Sequence, residues 1–109
     1  MRMDAAYQSE AARVIDQRIG ELRALTFEEA AALPEASGED TRLAGARCAV
    51  TVFRQRDPYE LPNSILVTVQ VARRGLLGIV SYHTERGLIF TPQGTIREAS
   101  ELELQNSGG

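Results

Sequence analysis

His83 is the only histidine in the chain, so any chemistry that needs an imidazole passes through it. Ser81, His83 and Glu85 alternate around it, and these are the residue types of a nucleophile, its base and an orienting acid. Their spacing argues against that use. On a strand, residues i and i+2 stand roughly 7 Å apart at the backbone, and a serine is too short to reach the ring. The alternation reads more simply as one face of a strand. Cys48, the single cysteine, lies between Ala46 and Val50 on an apolar alternation, which marks a small core residue with a quiet thiol. One cysteine and one histidine without clustered partners do not supply the usual zinc ligands. The acidic pairs Glu28–Glu29 and Glu39–Asp40 lack the spacing of a calcium loop. Glycine-rich phosphate loops, nucleophile elbows and paired-cysteine motifs are absent. The expectation is a noncatalytic protein with no cofactor and no metal.

The stretch Arg74-Gly75-Leu76-Leu77-Gly78-Ile79-Val80-Ser81-Tyr82 resembles the strand motif of RNA-recognition modules, basic-Gly-aromatic-Gly-aromatic-Val-x-aromatic. One residue is extra, and Leu76 and Ile79 stand where aromatic rings would stack on bases. That module also begins with a strand, whereas this chain opens with a helical pattern. The resemblance therefore carries no expectation of RNA binding.

The composition sets the frame for these residues. The chain has 109 residues and a formal net charge of -3, with 43% apolar and 25% charged residues, which suits one globular domain spanning residues 1–109. A single cysteine permits no internal disulfide, and the charged first segment is neither a signal peptide nor a membrane span. A cytoplasmic protein with no membrane partner is expected. All twelve basic residues are arginine, a bias typical of a GC-rich bacterial genome. Their placement matters more than their number. Residues 1–40 hold four arginines against nine acids, a balance of -5, and residues 41–97 hold eight against three, a balance of +5. An acidic helical layer over a basic sheet layer accounts for this without a partner.

The hydrophobic pattern changes period along the chain. Tyr7, Ala11, Ile15, Ile19 and Leu22 line one face at about 3.6 residues per turn, predicting a helix from near Asp4 to near Ala24. Thr26 stands three residues before Glu29, the capping-box arrangement, so a second short helix over 27–33 is predicted, stopped by Pro34. PEASGED then reads as a surface connection. From Arg42 onward the period is two. A first strand is predicted over 46–56, and a second carries Ile65, Val67, Val69 and Val71. A third is predicted over 77–84, a hairpin at Glu85-Arg86-Gly87 with the glycine left-handed, a fourth strand over 88–91 and a short fifth over 95–99. Ser100, three residues before Glu103, is placed to cap a last turn of helix.

The fold class that follows is α+β. An N-terminal helix, with a short second helix, packs on one face of a four- to five-stranded antiparallel meander. This order resembles a cystatin-like arrangement in architecture only, and such a likeness carries no function. The other sheet face is where a surface for association is sought. Arg47, Thr51, Phe53 and Gln55 share that face on the first strand, with Thr68 and Gln70 beside them on the second. If Arg74-Gly75 is a two-residue turn, Ile79, Ser81 and His83 come beside Thr68 and Gln70; a three-residue loop would send them to the valine face. The first register is preferred because it keeps the histidine off the core.

Such a mixture of apolar and polar residues suits a protein partner, and a second copy of the chain is the first choice. The competing expectation for this face is cover by the C-terminal segment. Two other functions are carried forward. One is anion or nucleic-acid binding through Arg47, Arg54, Arg56, Arg73, Arg74 and Arg86, with nucleic acid disfavoured by the acidic helix and tail. The other is a ligand pocket between helix and sheet, lined by Tyr7, Tyr82 and Phe90, with His83, Tyr59 or carboxylates as its reactive groups.

Overall fold

The computed structural model describes residues 5–58, 61–74 and 80–106. Among the described residues eight elements follow one another: α1 (Ala5–Leu22), α2 (Phe27–Ala31), β1 (Ala36–Leu43), β2 (Ala46–Arg56), β3 (Ile65–Arg74), β4 (Val80–Phe90), β5 (Ile96–Glu98) and α3 (Glu101–Asn106). The five strands form one antiparallel sheet in the order of the chain, β1-β2-β3-β4-β5. The α+β meander with its N-terminal helix is thus the architecture of the protein.

The helical stripe works as its spacing requires. Tyr7, Ala11, Ile15 and Ile19 are buried against Cys48, Val50, Val67, Val69, Val71, Leu88 and Phe90 on the inner face of the sheet. α2 begins with a complete capping box, the Thr26 hydroxyl accepting from Glu29 N–H and the Glu29 carboxylate from Thr26 N–H. Arg54 and Arg56 then donate to the carbonyls of Leu33 and Ala31 at 2.7 and 2.9 Å, satisfying the backbone at and just beyond the end of α2.

Two elements differ from the sequence expectation. The surface connection predicted at 34–40 is largely strand β1, an edge strand whose first seven residues are exposed and only Leu43 buried. With both faces of the strand in water, no period-two signal arises, and the backbone ladder to β2 alone defines it. Ala44 (φ 49°) and Gly45 (φ 79°) make the turn into β2, and the Glu10 carboxylate accepts from the Ala44 N–H, tying this hairpin to α1.

The second difference lies in β4. The predicted hairpin at Glu85-Arg86-Gly87 does not exist, because β4 runs unbroken from Val80 to Phe90. Gly87 is extended and pairs with Thr68 in mid-ladder. A side chain there would have to displace its neighbours. A β-carbon at position 87 would lie 2.9 Å from Leu104 Cδ2 and 3.1 Å from Leu66 Cδ1. Leu104 of α3 packs over this gap with Leu66, Ile89 and Ala99, forming a second, smaller core on the outer face. α3 itself starts with a second capping box, in which Ser100 and Glu103 bond each other's backbone N–H.

The candidate functional site on the outer sheet face

Strand register sorts every candidate residue onto a face. Cross-strand rows on the outer face read Asp40–Ala49–Ala72–His83, then Gly38–Thr51–Gln70–Glu85, then Ala36–Phe53–Thr68–Gly87. Thr51, Phe53, Thr68, Gln70 and His83 therefore share one face, as expected, with Arg47 and Gln55 at its two ends on β2. Ile79 lies outside the described residues.

The partners of Thr68 and Gln70 are Gly87 and Glu85, not Ser81 and Ile79 as a two-residue turn required. Arg74 pairs with Val80, so Arg74-Gly75 is not a two-residue turn, and the register shifts by one between Arg73 and Arg74. Both changes together keep His83 outward, so its face is the expected one although its neighbour is Ala72.

The outer face has three distinct parts. Its centre is a groove of about 480 Å³ between β1 and α3, floored by Leu66, Thr68 and Gln70 and walled by Phe53, Gln55 and Leu104. Phe53 remains 37% exposed at its rim, whereas Leu66 is 2% exposed beneath Leu104. The C-terminal segment therefore covers the β4 side of the face and leaves the Phe53 side uncovered. Glu85 stands in the same groove, reached by the Gln70 amide at 3.5 Å. The second part is a shallower hollow of about 270 Å³ where His83 meets Glu101, Leu104 and Gln105 of the C-terminal helix. The third part is the end of the sheet near Arg47.

No nucleophile–base pair forms among the described residues. Cys48 faces α1 on the inner side while His83 faces outward, so the sheet itself separates the thiol from the imidazole. Burial pushes the Cys48 thiol above its ordinary value, and its sulfur lies 3.6 Å from the Thr41 carbonyl, a weak donor contact. No group of three or more histidine, cysteine or acidic side chains that could hold a metal occurs among the described residues.

The arginines divide by face in a way the chain order concealed. Arg54 and Arg56 are committed to the carbonyls after α2. Arg73 lies over the Tyr7 ring at 5.3 Å, on the helix side. Arg86 bridges Asp16 of α1 and Glu98 of β5, and its guanidinium is held further into the charged state by the Glu98 contact. Only Arg47 and Arg74 of the six predicted anion ligands face outward. Arg42 of β1, the cross-strand partner of Arg47, joins them. Sequence reading missed Arg42 because it missed β1.

Tyr7 and Phe90 are packed inside the main core at 0 and 1% exposure. A hollow of about 370 Å³ does lie between Leu25–Glu28 and the turn at 91–96, touching Phe90. Its lining carries Glu28 as its single ionisable side chain. Tyr59 falls outside the described residues, as does the side chain of Tyr82. Among the described residues no helix is long and apolar enough to cross a membrane. No protein-family model matches the chain, and no curated protein and no solved structure matches it significantly.

Proposed function

We propose that the protein is a noncatalytic interaction module that self-associates through the outer face of its sheet, each copy placing Phe53 in the groove of the other. The observation that carries this reading is the pairing of an exposed aromatic ring with an adjacent apolar groove on one surface. Phe53 stands 37% exposed beside a groove of about 480 Å³ floored by Leu66 and Thr68. A knob next to its own complementary hole is the geometry that a two-fold axis uses, because residue and receptor then occur on both partners. A phenyl ring is housed by a cavity of roughly 150 Å³, so the groove accepts a ring from a second copy with room for neighbouring side chains. Buried aromatic anchors of this kind dominate the energetics of interfaces. Gln55 in the wall, Gln70 in the floor and Glu85 in the groove add polar groups able to bond a partner's backbone or side chains.

Light scattering on the purified chain at micromolar concentration tests the proposal. A dimer is expected, converted to a monomer by Phe53→Glu. A wild-type monomer across that range removes the reading.

A further inference from the structure

The Arg47 end of the outer face carries a feature unrelated to the Phe53 groove. Arg42 pairs directly with Arg47. Arg73 pairs with Cys48, and Arg74 follows it at the end of β3, its guanidinium 3.9 Å from the Asp40 carboxylate of β1. Three arginines on three adjacent strands thus gather at one end of the outer face. All three are exposed. Neighbouring strands lie about 4.8 Å apart, so the cluster spans roughly 10 Å.

Such a cluster works against stability. Like charges directly opposite one another on a sheet repel, and here Arg42 and Arg47 form such a pair with Arg74 close by. The chain offers little to offset them. Asp40 approaches Arg74 only to 3.9 Å, and Arg42 reaches the Gly45 carbonyl at 3.4 Å. Arg47 has no side-chain hydrogen bond or ion pair among the described residues. The contrast with the inner face is sharp, because there Arg18 and Arg86 are matched with carboxylates from another element. Next to the cluster, Ala49 and Ala72 leave low ground on which long guanidinium arms can fold toward a common ligand.

We infer that Arg42, Arg47 and Arg74 form a binding site for a polyphosphate group, a linear chain of phosphoryl units. Guanidinium forks match phosphate oxygens two at a time, and three forks spaced across three strands favour extended charge over a single compact anion. The site is independent of the proposed dimer. Arg47 and Phe53 are six residues apart on one strand, about 20 Å.

Isothermal titration with inorganic tripolyphosphate at low ionic strength reads this out. Tripolyphosphate is expected to bind more tightly than orthophosphate, with affinity falling steeply as salt is added. Arg47→Ala is expected to weaken it about tenfold, the usual scale for one charge-assisted contact. The Phe53→Glu variant is expected to retain the binding, which separates failure of this site from failure of the dimer. All three arginines are exposed and repel one another, so the variants are expected to melt no lower than the wild type. Absence of binding at low salt overturns the inference, as does binding that survives removal of all three arginines. A single-stranded oligonucleotide that binds where tripolyphosphate does not also overturns it, and would assign the cluster to a nucleic-acid backbone.

Discussion

Leu104 occupies the space that a side chain at Gly87 would need. The two residues are 17 apart in sequence and lie on α3 and β4, and their contact fixes where the C-terminal helix sits on the sheet. Everything exposed on the outer face is defined by that placement, because α3 stops short of Phe53.

Replacing Gly87 therefore tests the architecture of the face. An alanine in a strand ordinarily gains roughly 0.5–1 kcal/mol over glycine through the unfolded state. Here its β-carbon would meet Leu104 and Leu66 side chains and lie 3.2 Å from the Val67 carbonyl. Overpacking of that kind costs about 1–3 kcal/mol, so Gly87→Ala is expected to destabilise on balance, and Gly87→Val by more. Urea unfolding measures the loss, and faster proteolysis after residue 100 locates it at α3. A more stable Gly87→Ala would show that Leu104 is not confined there.

Hydrogen exchange in α3 is expected to depend on pH through Glu103. This carboxylate takes both outer nitrogens of Arg97 at 2.8 and 2.6 Å and also accepts from Ser100 N–H, which holds it at about 2 against an ordinary 4.5. A depressed carboxyl binds fewer protons in the docked state than in the released one. Its stabilising contribution is therefore complete above pH 4.5 and is lost as pH falls through about 2. Protection of the amides at 102–106 should fall across that window in the wild type. Glu103→Gln should show weaker protection at neutral pH and no further loss attributable to this site.

How much of this was legible in the sequence follows from where each signal resides. β2 was readable to its ends because Cys48, Val50 and Val52 face the core while their neighbours do not. β1 was not, since Ser37, Gly38, Glu39 and Asp40 are poor strand formers held by pairing alone. Gly87 imitated a turn signal because glycine marks left-handed turns and close approaches alike, and its reason for being glycine sits on a helix 17 residues away. The capping box of α3 was visible as Ser100 and Glu103, yet its docking site was not, for the same reason. Of the outer-face candidates, Thr51, Phe53, Thr68 and Gln70 needed only period two. The arginine cluster needed the register of three strands, one of them unread.

Core truncation on the opposite side should leave the outer face intact. Ile15 is 2% exposed on α1 and packs within the main core beneath the sheet. Ile15→Ala is expected to cost about 2–5 kcal/mol, the range for deleting a buried aliphatic side chain. Below its unfolding transition the variant is expected to match the wild type in the proposed self-association, which light scattering at low temperature can check. Loss of association in a folded Ile15→Ala would mean that the inner core sets the shape of the Phe53 groove.

Cys48 provides a probe of the whole inner layer. Its side chain is 1% exposed, enclosed between α1 and the sheet, and burial keeps its thiol above the ordinary value. Modification requires the thiolate in contact with reagent, and both conditions fail while α1 is seated. An aromatic disulfide reagent at neutral pH should therefore label Cys48 only through opening of the structure, at a rate that rises with urea in step with unfolding. Ile15→Ala, by lowering the cost of lifting α1, should raise that rate at zero denaturant, whereas Phe53→Glu on the far face should not. Rapid labelling of the native wild type would show that α1 leaves the sheet far more readily than its buried stripe of Tyr7, Ala11, Ile15 and Ile19 implies.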